Sequence, residues 1–196
     1  MFTIRSFIAL PSSSELRNVL SELQDSLKLE GGNVKWDTPD KFHITLKFLG
    51  NVPPEKLDIL SDSLAALTTT ATRFQLVYAT VGAFPDLVHP RVIWAGAEMN
   101  EDLSSLQHRV EDACDRLDFP QEPRTFHPHI TLGRVKGTRN LGRLTAKVKS
   151  ITFDAVRTDC SEVLLIKSDL HPTGSVYTTL KSFPLKAQPE FFHDRQ

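Results

Sequence analysis

Cysteine is scarce in this chain of 196 residues: there are two, Cys114 and Cys160, 46 residues apart. That spacing fits neither a zinc site nor a redox pair, so both thiols are read as small buried residues. Long hydrophobic runs are missing as well. The apolar stretch at 2–10 is broken by Thr3, Arg5 and Ser6, which suits neither a signal peptide nor a membrane span. A cytoplasmic protein with no membrane attachment is expected. A dominant charge is the third absence. With a net charge of -1 the chain is unsuited to coating long nucleic acid, which draws on many phosphate contacts, yet it remains able to read a single end. One local run departs from this balance: Arg134, Lys136, Arg139, Arg143, Lys147 and Lys149 succeed one another with no acidic residue between them. It is either a solvated face or a rim that draws phosphate.

What is present begins with a repeat. His43-Ile44-Thr45-Leu46 recurs as His129-Ile130-Thr131-Leu132, 86 residues on. Accident would produce such a repeat in roughly one in two hundred sequences of this composition, so the copies are read as meaningful. Val, Ile, Thr and Phe around both copies favour extended backbone, where side chains alternate between faces. His43 and Thr45 then share one face and Ile44 and Leu46 the other. His129 and Thr131 stand in the same relation to Ile130 and Leu132. Two such strands brought together surround one small anion with two imidazoles and two hydroxyls.

The remainder reads as an ordinary soluble globular chain, 40% hydrophobic and 24% charged. Strands are expected at 2–10, 34–36, 42–49, 74–81, 91–96, 129–135, 150–157, 162–168 and 176–184. Helices are expected at 15–27, 55–67 and 100–117, where leucines recur at helical spacing. Residues 141–148 suit either state. Strands separated by helices favour an α+β protein with largely antiparallel sheets and outer helices. Residues 1–185 are expected to form one domain of two half-repeats, with a loose polar tail at 186–196. Phe42, Phe48, Trp36 and Phe126 are assigned to the core rather than to base stacking. His127 is read as structural, and His89, His108, His171 and His193 as surface residues.

The two His-x-Thr-x motifs resemble those of the 2H phosphoesterase superfamily. Within it the chain resembles the RNA 2',3'-cyclic phosphodiesterases, also called 2'-5' RNA ligases. Supporting segments are Arg5-Ser6-Phe7-Ile8-Ala9-Leu10, Lys47-Phe48-Leu49-Gly50 after the first motif, Phe84-Pro85, Arg91-Val92-Ile93-Trp94-Ala95-Gly96 and Phe126-His127-Pro128 before the second. The resemblance implies a bilobal fold with a cleft between pseudo-symmetric lobes and no metal or other cofactor. It implies hydrolysis of an RNA 3'-terminal 2',3'-cyclic phosphate to a 2'-phosphate, with RNA ends or small cyclic nucleotides as partners. A monomer is the default.

Two imidazoles suit this chemistry because one proton must leave the attacking water and another must reach the departing ribose oxygen, near neutral pH. The motifs are near copies, so the residues alone leave the two roles open. The family resemblance implies that His43 is the general acid and His129 the general base. Thr45 and Thr131 would donate to the non-bridging phosphate oxygens as charge builds there. Arg134 would add a guanidinium fork to phosphate or sugar, as the resemblance suggests. Strict alternation, however, puts Arg134 on the Ile130 face, so that role requires a bulge or a strand end. Two alternatives stand beside hydrolysis: 2'-5' ligation with a 5'-hydroxyl in place of water, and a noncatalytic RNA- or nucleotide-binding module.

Overall fold

The structure is a computed structural model that describes residues 2–172 and 174–187. Its elements follow from local signals. Ile4–Pro11 forms β1, and Ser13 then caps α1 (Ser14–Lys28), its hydroxyl accepting from the Leu16 N–H. Leu16, Leu20, Leu23 and Leu27 make the buried stripe of α1. Gly31 and Gly32 follow at positive φ, leading into β2 (Val34–Trp36). A single 3-10 turn at Pro39–Lys41 delivers β3 (His43–Val52). Pro53 and Pro54 open α2 (Pro54–Thr68), which precedes β4 (Phe74–Phe84) and β5 (Val92–Ala97). Asn100 caps α3 (Glu101–Asp115) by accepting from the Leu103 N–H, and β6 (His129–Val135) follows a long loop. The chain closes with α4 (Leu141–Ser150), β7 (Val156–Cys160), β8 (Glu162–His171) and β9 (Gly174–Pro184).

These strands pair antiparallel throughout the described residues, in the order β7-β4-β5-β6-β3-β1-β8-β9, with β2 also paired to β6. The junction at the centre is narrow. β3 and β6 meet at one registered pair, Ile44 opposite Ile130, whereas their outer ladders, β3 with β1 and β6 with β5, are long. Two half-sheets therefore hinge on two buried isoleucines, which gives the expected bilobal α+β fold its physical form. Helix α2 lies against β8 and β9, α3 against β3 and α2, and α4 against β4 and α1. Leucines and isoleucines from both halves merge into one core, with Leu16, Leu60, Leu103 and Ile130 fully buried. Each such side chain contributes about 2 kcal/mol through removal from water.

The ambiguous stretch at 141–148 is helical, with Leu144 and Val148 on its buried side. Because α4 runs to Ser150, the strand expected at 150–157 starts later, at Val156. Lys186, placed in the loose tail by composition, is tied by backbone bonds to Ala71 and Arg73. Residues 188–196 of that tail, His193 included, lie outside the described residues.

Strict alternation fails directly after the threonine in each motif strand, and β3 shifts register a second time at Leu49. Ile8 pairs with Lys47 and Ala9 with Thr45, so Leu46 is an extra residue in β3. Ile93 pairs with Gly133 and Trp94 with Thr131, so Leu132 is an extra residue in β6. A β-bulge thus follows each threonine and reverses the facing of the residues next to it. Phe48 and Arg134, five residues beyond their histidines, return to the histidine face, while Lys47 and Gly133 turn inward.

Candidate active site

The register at the hinge assembles the site. With Ile44 opposite Ile130 in an antiparallel pair, His43 stands across from Thr131 and Thr45 across from His129. All four are half-buried, on the face opposite the two isoleucines, and all four line one cleft of about 880 Å³. Phe48 and Arg134 line the same cleft, as do Asp37, Lys41, Phe84 and Tyr177. Each expected site residue is therefore brought to one place. Arg134 reaches it through the bulge that its role required.

Both imidazoles are held in the same way. His129 Nδ1 lies 2.7 Å from the His127 carbonyl, two residues back, so Nδ1 carries the proton and the Nε2 lone pair is left for the cleft. His43 makes the matching bond to the Lys41 backbone, again two residues back. Their aromatic surroundings differ. The His43 ring stacks on Phe7 at 4.9 Å and meets the edge of Tyr177 at 5.4 Å. The His129 ring meets Phe84 edge-on at 4.9 Å, and Trp94 and His127 complete that cluster. Trp94 can pack beside His129 because Gly82 and Gly96 leave room: a Cβ at Gly82 would collide with the indole, and one at Gly96 would stand 2.9 Å from it. His127, read as structural, indeed orients His129 through its carbonyl, and its ring packs on Trp94 at 4.7 Å.

Burial lowers both histidine pKa values. His43 falls from 6.5 to about 4, first by desolvation and then by the nearby charges of His129 and Arg134, with the Lys41 bond opposing. His129 also falls, by desolvation first and then by His127 and Arg134, with the His127 bond opposing. Burial thus favours the neutral form of both rings. A negatively charged ligand between them reverses the sign by favouring imidazolium. Asp37 moves the other way: burial raises its pKa, against the pull of Arg134, Lys41 and Lys35.

Three positions escape a reading of the sequence. Phe48, assigned there to the core, is 63% exposed at the cleft, because the Leu46 bulge turns it outward. Asp37 and Tyr177 carry no motif; only the pairing of β2 with β6 and of β9 with β8 brings them to the cleft. Phe42 is buried as expected, and Trp36 and Phe126 pack partly buried against the core. His89, His108 and His171 are exposed. Among the described residues, no three His, Cys, Asp or Glu side chains gather as a metal-binding group, and no helix is long and apolar enough to cross a membrane.

A bilobal antiparallel frame that brings two imidazoles and two hydroxyls to one cleft is the frame of the 2H phosphoesterase class, and the family match bears on that class directly. Residues 10–94 and 96–177 match the family described as LigT like Phosphoesterase, one motif in each stretch, and the chain belongs to that family. It is 34% identical over 185 residues to a Methanothermobacter thermautotrophicus protein named RNA 2',3'-cyclic phosphodiesterase, covering 93% of this chain and 99% of that one. Among solved structures it is similar to a Thermus thermophilus protein (27% identity, TM-score 0.82, 95% of this chain and 100% of that one). It is also similar to Escherichia coli LigT complexed with 3'-AMP (25% identity, TM-score 0.74, 93% and 98%).

Proposed function

We propose that this protein hydrolyses the 2',3'-cyclic phosphate at an RNA 3' end to a 2'-phosphate, without a metal ion, using His129 as general base and His43 as general acid. The observation that carries the reading is the cross-strand placement of His43 against Thr131 and Thr45 against His129 on one face of one cleft. The name borne by the Methanothermobacter relative agrees with it.

In this mechanism the cyclic phosphate sits between the two strands with its non-bridging oxygens accepting from Thr45 and Thr131. The free Nε2 of His129 takes a proton from water, and the water oxygen attacks phosphorus. The bond from phosphorus to the 3' oxygen breaks as His43 delivers its proton to that oxygen, leaving the phosphate on the 2' oxygen. The electrostatics support an order of events: burial keeps both rings neutral until the substrate's negative charge enters and lets His43 hold a proton. Arg134 adds fixed positive charge at the mouth. Phe48, exposed where its counterpart in the other half is Arg134, offers a ring for the terminal base.

The test is turnover of adenosine 2',3'-cyclic monophosphate in excess chelator, with the product read by phosphorus NMR. Metal-independent formation of the 2'-phosphate alone is expected. Tight nucleotide binding without turnover would replace this reading by the noncatalytic module, and turnover only after metal is restored would refute the two-histidine scheme.

A further inference from the structure

Beside the catalytic cleft runs a second groove of about 560 Å³, enough for a nucleotide-sized group. The two share Asp37, Lys41, Phe48, Arg134 and Tyr177, so they are one continuous depression. Five cations line the groove: Arg5, Lys35, Lys41, Arg134 and Lys136. Asp37 is the one carboxylate among its described lining residues. Such a concentration is notable in a chain of net charge -1.

Lys35 stands directly opposite Arg134 in the β2–β6 ladder, and both charges act on Asp37 beside them. Arg5 adds to the same field from β1, where alternation puts it on the face of Phe7, and its charge acts on the Tyr177 hydroxyl together with that of Arg134. The far end of the catalytic cleft is different. There Lys47 is paired with Glu111 and Arg124 with Glu122, and, apart from Lys41 and Arg134 shared with the groove, Arg91 is the one further cation among the described lining residues, so the excess of positive charge is smaller than in the groove.

We propose that the groove from Arg134 to Arg5 and Lys136 seats the phosphodiester that precedes the cyclic end, so that single-stranded RNA ends are processed in preference to cyclic mononucleotides. This rests on the reading of the cleft given above and adds the direction in which the strand leaves it. The phosphates pass over the basic floor, where five cations against one carboxylate supply their counter-charge.

The experiment compares adenosine 2',3'-cyclic monophosphate with a tetra-adenylate ending in the cyclic phosphate, for the wild type and the Arg5→Ala/Lys136→Ala variant. Both substituted side chains are exposed, and neither takes part in the proton transfers. The wild type is expected to favour the tetranucleotide by ~10-fold in kcat/KM. The variant is expected to lose that preference while its mononucleotide rate stays within about twofold, and its salt dependence on the tetranucleotide becomes shallower by about 1 to 2 in log-log slope. Equal use of both substrates by the wild type, or an equal loss on both in the variant, would overturn the proposal. If neither substrate were turned over, the cyclic phosphodiesterase reading would fall on its own. The groove is then decided by fluorescence anisotropy of a tetra-adenylate with a linear 3'-phosphate: at least ~5-fold weaker binding by the variant upholds it, and unchanged binding refutes it.

Discussion

The two halves of the cleft begin as copies and end as opposites. Each contributes His-Ile-Thr-Leu, ties its imidazole to the carbonyl two residues back, and bulges at the leucine. Beyond the bulge they diverge. The first half buries a cation, Lys47, which reaches Glu111 and the Pro120 carbonyl, and presents the aromatic Phe48 to the cleft. The second half buries Gly133 under Trp36, where a Cβ would come within 2.7 Å of the indole, and presents the cation Arg134. On the proposed mechanism, duplication supplies the symmetric part of the chemistry, two proton carriers and two donors for one phosphate. Divergence supplies the asymmetric part, since a nucleotide has a base on one side and charge on the other.

The largest effects should fall on what the halves share. His43→Ala and His129→Ala are each expected to lower kcat by at least ~10²-fold with the fold intact by circular dichroism. A cyclic substrate with sulfur in place of the 3' oxygen separates their roles, because a thiolate leaves without a proton. It should restore much of the rate to His43→Ala and little to His129→Ala; the opposite rescue would exchange the assignments.

Lys47→Met attacks the first half alone. The ammonium lies 2.5 Å from Glu111 with both groups largely buried, and stranding the carboxylate should cost about 3 kcal/mol in denaturant unfolding. No loss would mean that solvent reaches Glu111 freely.

Thr45→Val and Thr131→Val keep strand shape but delete a donor, so each should lower kcat by ~10- to 100-fold with little change in melting temperature. Unequal losses would show that one half carries more of the phosphate charge. Phe48→Ala and Arg134→Ala then probe the divergent positions. Phe48→Ala should raise KM by ~10-fold for nucleoside cyclic phosphates and leave a cyclic phosphate without a base unaffected. Arg134→Ala should slow both and flatten their salt dependence.

The smallest effect is a displacement in pH. Burial lowers both histidines in the free enzyme, so the alkaline limb of kcat/KM, where the acid loses its proton, should lie below pH 6.5. Bound substrate adds negative charge and raises the pKa of the acid, so the alkaline limb of kcat should lie at higher pH than that of kcat/KM. Coincident limbs would mean that the substrate's charge does not reach the rings.

The motifs are legible in the sequence because identity and alternation are local properties. His43, Thr45, His129 and Thr131 fall on one face of their strands whatever those strands pair with. The facing of Phe48 and Arg134 does not follow so simply, because the bulges at Leu46 and Leu132 show only in the register against β1 and β5. Alternation alone therefore sends Phe48 to the core and leaves Arg134 dependent on a bulge that only the fold can supply. Asp37 and Tyr177 reach the cleft through long-range ladders and leave no trace in spacing. Residues 141–148 are ambiguous for a related reason: Asn140, the residue before α4, is left-handed and makes no side-chain cap bond, so the usual starting signal is missing.

The central claim is that both imidazoles serve a single phosphate. It is tested most directly by following histidine-labelled protein in nitrogen NMR while inorganic phosphate is added. The account predicts that His43 and His129 move together along one binding curve and that both titrate at higher pH when phosphate is bound. Movement of one ring alone, or two curves with different midpoints, would contradict it.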